Sequence, residues 1–400
     1  MANLDCCVVS GDDPRGVAEE TVSRLGDRAD FGVVFFHDVD PEDVVSELSH
    51  GVERFIGCVA AEGHWPGSVR GHRISLLALK TGWMAKFGTG GSTHRDLGRA
   101  SRSAMEEALR DLEFDPYDVS YSALNLRDPK KIATYRPVIG MALVDGVAFH
   151  NSGGTGLEVL SGFQIGSGPG AENVRTFGAL SSDPEFESAP VVCDKGVFER
   201  GIVYAAISTF LKVDWSSASS LKPVAELGTV TESERNVIVE IDGRPAGEVY
   251  LEKLEEIIGD GEDVPCGGEH VYKDFPPVGV ARVLPPIGRR ITPRTPLEVT
   301  EDYIRTAGYV VEGERLLLLE FERRPNAPME AYRESLSSGG EPLASVLATC
   351  AGRKPLREKL PDRHCVGMYS FGEIAPTAGC NEFYNHASVC LTIFREPVFE

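Results

Sequence analysis

The sequence predicts an α+β protein with α/β-like layers, in which two domains of mixed β-sheets are packed in layers and flanked by helices. Three observations lead there. Short apolar runs alternate with helix-period segments through the first half. A length of 400 residues exceeds what one small core serves. Hydrophobic residues at 42% beside charged residues at 25% are the balance of a folded chain and exclude wholesale disorder.

The run Phe31–Phe36 is continuously apolar, as in a strand covered on both faces. Asp40-Pro41 supplies an N-cap and a proline at the first helical position, opening a helix through Val44, Val45 and Leu48. Ile56–Ala60 and Ile74–Leu79 are the next strands, and Ser92 or Thr93 is expected to cap a long helix to about Leu112. Pro137–Leu143 reads as a strand and Thr155–Phe163 as a short helix. After a Gly-rich hinge come the strands Val191–Cys193 and Ile202–Ser208. The Ser-rich stretch Trp215–Ser220 marks a boundary, dividing the chain into domains at 1–222 and 223–400. Beyond it Asn236–Ile241 alternates, with Val237, Val239 and Ile241 on one face, and ends at the turn Asp242-Gly243. A helix from Pro245 to about Ile258 follows, and Asp260–Arg294 reads as loop with one strand at Val278–Leu284. Leu316–Phe321, Ser345–Thr349, Val366–Phe371 and Ser388–Phe394 complete the strands, with a helix at Pro328–Ser337. There is no fixed-period repeat.

The formal net charge is −21, and the basic residues divide into 11 lysines and 29 arginines. A nucleic acid or an anionic membrane surface would be repelled, so neither is an expected partner. An acidic, lysine-poor surface suits a salt-adapted cell with an acidic proteome, where screening relieves self-repulsion; codon bias toward arginine is the competing explanation. No apolar run nears the ~20 residues of a membrane helix. The N-terminus, MANLDCCVVSGDD, lacks the basic stretch of a secretory signal. Nine cysteines without a CxxC pair indicate neither a disulfide framework nor a zinc site, and the expected location is cytoplasmic.

Most motifs fail their own tests. Gly166–Gly170 lacks the Gly-Lys-Ser/Thr ending of a phosphate loop and reads as a tight turn, while Gly88–Gly91 shares that weakness although glycines before a helix can hold an anion. The histidines show no HxxxH or HExxH spacing, and no GxSxG is present, so no metal site and no catalytic residues are assigned. The C-terminal block is more informative. Cys350 and Arg353, then Ser370, Gly372 and Glu373, then Phe383, Tyr384 and Asn385, sit at strand ends and turns beside small residues, where side chains can line a pocket on a rigid scaffold. Glu373 suits an amine, Arg353 a carboxylate, and Asn385 both donates and accepts. An internal Glu373–Arg353 ion pair is the alternative.

These residues resemble the FIST family, a two-part sensory module. Its N-terminal part is matched by Phe31–Glu62 with the Ile56-Gly57-Cys58 turn, by Asp145-Gly146 and the helix to Gly166, by Gly178–Asp183, and by the strand carrying Gly201 and Val203; Ala179 replaces a family glycine. Its C-terminal part is matched by Val230-Thr231, Asn236–Tyr250, Cys350–Arg353, Phe371–Ile374 and Phe383–Asn385, with Tyr384 where the family commonly has histidine. The resemblance spans about residues 30–395. It implies a sensory protein of signal transduction binding a small ligand such as an amino acid, without assigned catalytic residues or a required cofactor. Haem sensing at His386, His364 or a cysteine, and an enzyme with an acid/base pair near Glu373, are the alternatives. Resemblance to stand-alone members implies a signalling partner protein, or a role as a ligand reservoir.

Overall fold

Four helices open on an aspartate whose side chain accepts a backbone N–H of the first turn. Asp13 accepts from Gly16 before α1 (Pro14–Leu25), and Asp40 from Glu42 before α2 (Pro41–Leu48). Asp96 accepts from Arg99 before α3 (Leu97–Asp111), and Asp145 from Ala148 before α4 (Gly146–Asn151). Each such cap is worth about 1 kcal/mol. The remaining helices are α5 (Leu157–Gly166), α6 (Ala246–Ile258) and α7 (Ala327–Ser335). The computed structural model describes residues 4–60, 72–114, 138–167, 174–183, 185–219, 221–258, 275–284, 288–321, 327–351, 364–376 and 381–398.

The strands of the N-terminal half are β1 (Asp5–Gly11), β2 (Ala29–Phe36), β3 (Val52–Val59), β4 (Ile74–Lys80), β5 (Ala85–Thr93), β6 (Val138–Val144), β7 (Arg175–Leu180), β8 (Val191–Cys193), β9 (Gly196–Phe198), β10 (Gly201–Thr209) and β11 (Leu211–Ala218). Next come β12 (Leu221–Glu234), β13 (Val237–Ile241), β14 (Arg244–Pro245), β15 (Val278–Leu284), β16 (Gly288–Val299), β17 (Ile304–Ala307) and β18 (Arg315–Phe321). The last are β19 (Pro342–Cys350), β20 (Cys365–Ser370), β21 (Glu373–Pro376), β22 (Asn381–Tyr384) and β23 (Ser388–Pro397).

They form a first sheet β1-β4-β2-β3-β8-β9, a second β22-β21-β7-β6-β10-β5, a third β11-β23-β19-β20 and a fourth β12-β18-β15-β16-β17-β13-β14. The first three are mixed, with β2–β3, β6–β7 and β19–β20 parallel. Alternation along each strand decides the layers. Phe31, Val33 and Phe35 of β2 share a core with Met141 and Leu143 of β6 and with Val346 and Ala348 of β19. Val34 and Phe36 face the other way, onto Val17 of α1 and Val44 and Leu48 of α2. The outer face of the second sheet takes α3, α4 and α5, and that of the third takes Ala331 and Tyr332 of α7. The result is a layered sandwich in which three helix-backed sheets share one central core, an α+β fold. The fourth sheet closes a separate core with Val249, Tyr250 and Leu254 of α6.

The pairing interleaves the chain. β11 joins the last strand, β23, and β21 pairs with β7 in the second sheet. Residues 221–321 supply the strands of the fourth sheet, whereas the strands from β19 onward return to the second and third sheets. The fourth sheet is tied to β22 by Arg294, whose Nη1 donates to Phe383 O at 3.1 Å, and by Thr292 Oγ1, which donates to Glu382 Oε1 at 2.6 Å.

Several local expectations are corrected. Ser92 and Thr93 stay in β5, because that strand pairs with β10 up to Thr93, and the helix waits for Asp96. Trp215–Ala218 is strand, since Trp215 registers with Leu391 of β23. Gly288–Arg294 is strand as well, paired with β15. In β13 the buried residues are Ile238 and Ile241, not Val237 and Val239, because the register against β12 shifts twice there. Gly88–Gly91 forms no anion loop; it lies within β5. The rest of the expected turn at Gly168–Gly170, the Gly-rich hinge after it, and residues 260–274 lie outside the described residues.

Candidate functional site

β19 and β20 run parallel, and their register sets Cys350 beside Ser370 at the carboxyl ends of both strands. Just beyond Ser370 the chain turns through Phe371 and Gly372 into β21, leaving the third sheet for the second. Beyond Tyr384 it turns back through Asn385, His386 and Ala387 into β23. Backbone hydrogen bonds hold these crossings in place: Cys350 N donates to Ala387 O at 3.0 Å, and Leu180 N to Gly372 O at 2.9 Å. A crevice outside the carboxyl ends of strands is where α/β sheets hold ligands. Here it is a cavity of about 80 Å³, lined also by His150 of α4, Phe186, and Thr295, Leu297 and Ala307 of the fourth sheet.

The lining chemistry is specific. Cys350 Sγ lies 3.9 Å from His386 Nδ1, and His386 takes a φ of 52°, a left-handed turn conformation. Ser370 Oγ lies 2.6 Å from Glu373 Oε1 and 3.1 Å from Thr349 O. Glu373 is fully buried, and its second oxygen accepts from Ala387 N at 3.4 Å. His150 Nε2 lies 3.0 Å from Phe371 O; a carbonyl only accepts, so Nε2 carries the proton and Nδ1 is an acceptor, one with no partner. Burial holds the His150 pKa below its ordinary value, outweighing the Phe371 hydrogen bond that pulls it up. Asn385 is 1% exposed, and its Oδ1 also has no partner. Phe186 and Phe371 stack with centroids 4.5 Å apart, giving the cavity an aromatic wall.

Of the residues nominated from sequence, Cys350, Ser370 and Asn385 line this cavity. Glu373 stands one hydrogen bond behind it, through Ser370. Gly372, Phe383 and Tyr384 serve packing instead. A Cβ at Gly372 would come 2.7 Å from Phe383 Cζ, the Phe383 ring stacks on Phe149, and Tyr384 is buried with its hydroxyl donating to Glu382 Oε2 at 3.2 Å. Arg353 lies outside the described residues. Sequence reasoning missed His150, Phe186, Thr295 and Ala307, which carry no local signal; His386 had one, its place beside Asn385 in the same turn.

Among the described residues no group of His, Cys, Asp and Glu is placed to hold a metal ion, and no helix is long and apolar enough to cross a membrane. None of the described cysteines is in a disulfide. The layered fold carries a small, part-polar cavity at a sheet seam. The FIST N domain profile matches residues 30–244, more than half of the chain, and the chain belongs to that family of small-ligand sensory domains. No curated protein matches it. Among solved structures, the cyanuric acid hydrolase from A. caulinodans aligns over 99% of this chain and 100% of its own at 7% identity. The TM-score of 0.35 is too low for that likeness to decide fold or activity.

Proposed function

We propose that this protein is a sensory protein of signal transduction that binds an amino acid or a related metabolite, its state being read by a signalling partner. The observation that supports it most is the cavity at the seam, with the acceptors His150 Nδ1 and Asn385 Oδ1 buried and unsatisfied. Leaving such groups unpaired costs about 1–3 kcal/mol each, a cost that a ligand donating to them removes. The cavity wall combines residues of the sandwich with β16 and β17 of the fourth sheet. A ligand touching both shifts the population toward the arrangement in which they are held together.

Its size favours a small ligand: a macrocycle such as haem needs far more than about 80 Å³. The expected behaviour is a rise in thermal midpoint with one class in a panel of amino acids and metabolites, about 2.7 kcal/mol of stabilisation at a hundredfold excess over Kd. The same ligand should protect Cys350, which lines the cavity, from alkylation. A flat panel without protection would overturn the proposal. A second reading, an enzyme, has one observation in its favour: the thiol of Cys350 faces the His386 imidazole. Recovering the ligand chemically unchanged after long incubation separates binding from turnover.

A further inference from the structure

The cavity also indicates which end of a ligand it takes, an inference that rests on the small-ligand reading above. His150 offers Nδ1 only as an acceptor, because its other nitrogen is committed to Phe371 O at 3.0 Å. Asn385 Oδ1 is a second unsatisfied acceptor on a side chain 1% exposed. Ser370 Oγ lies 2.6 Å from the buried Glu373 carboxyl, and a hydroxyl that gives its proton there keeps its lone pairs for the cavity. The aromatic pair Phe186–Phe371 presents the surface on which a desolvated cation is stabilised. No lysine or arginine lines the cavity among the described residues. We infer that the cavity recognises a primary ammonium group, held by His150 Nδ1 and Asn385 Oδ1 against the Phe371 wall. A cavity of about 80 Å³ admits the ammonium end of a ligand with a short stretch of its carbon chain.

The test is titration calorimetry and thermal denaturation of the whole protein with ethylammonium, acetamide and acetate, each against matched potassium chloride. Ethylammonium is expected to bind and raise the midpoint, with acetamide weaker and acetate silent. Asn385→Leu and His150→Phe should each weaken ethylammonium at least tenfold, whereas Asn385→Asp, which keeps the acceptor and adds charge, should retain it. Should a variant fail to fold, the wild-type ranking of the three probes still decides. Acetate or acetamide binding in preference to ethylammonium would overturn the ammonium assignment while leaving a small-ligand site. Ethylammonium binding untouched by both apolar substitutions would overturn it too, as would silence toward all three probes beside a responsive amino-acid panel. Silence in the probes and the panel together would remove the sensory proposal as well.

Discussion

Asp111 gathers donors from three separate segments. Arg54 Nε lies at 2.9 Å, Thr89 N at 3.0 Å and Lys195 Nζ at 3.8 Å. Burial pushes its pKa up, but the Thr89 N–H, Arg54 and Lys195 together hold it below the ordinary carboxylate value. A folded pKa lower than the unfolded one gives stability that is present above about pH 4 and lost as pH falls through the folded value. Asp111→Asn should therefore cost about 1–2 kcal/mol at pH 7, with the gap to wild type narrowing below pH 4. Urea titrations at both pH values check this, and an equal gap at pH 3 would contradict it. At this scale the site was half legible. Cys350, Ser370 and Asn385 stood on turns at the ends of apolar runs, which is where pocket side chains concentrate. Phe383 and Tyr384 occupied similar positions in the sequence, yet one fills the space beside Gly372 and the other lies in the inter-sheet core.

Helix α3 illustrates what a strand must give up for a helix to pack close. A Cβ at Gly88 would lie 2.2 Å from Ala108 O, and one at Gly90 would lie 2.2 Å from Ala104 O. Backbone on both sides leaves nothing that can swing away, so these glycines let α3 lie directly on β5. Gly90→Ala is expected to lower stability by about 2–3 kcal/mol, read as a drop in the urea midpoint at unchanged slope. A wild-type midpoint would show that the helix sits farther off than the structure has it. The motif was visible in the sequence, but its meaning was not. A glycine run before a helix reads equally as an anion loop until the pairing of β5 with β10 is known.

Over the whole molecule, a net charge of −21 means self-repulsion that salt must screen. Many of the ion pairs are exposed, such as Arg15–Glu19 and Arg244–Glu252, and contribute little. We expect the thermal midpoint to rise by several degrees as potassium chloride is raised from about 0.1 to 2 M, the Debye length shrinking from about 10 Å to below 3 Å. A midpoint that falls over that range would argue against salt adaptation.

The sequence by itself determined the Asp40-capped helix α2, the apolar strands such as β2 and β4, and the surface charge, because each depends on residues a few positions apart or on composition alone. Only the tertiary structure decided that β11 pairs with β23 and that β21 joins the second sheet. It alone brought His150 to Phe371, 221 positions away. Periodicity states which face of a strand is buried and is silent about what buries it, so the residues that a second sheet or a distant helix brings to a cavity have no local trace.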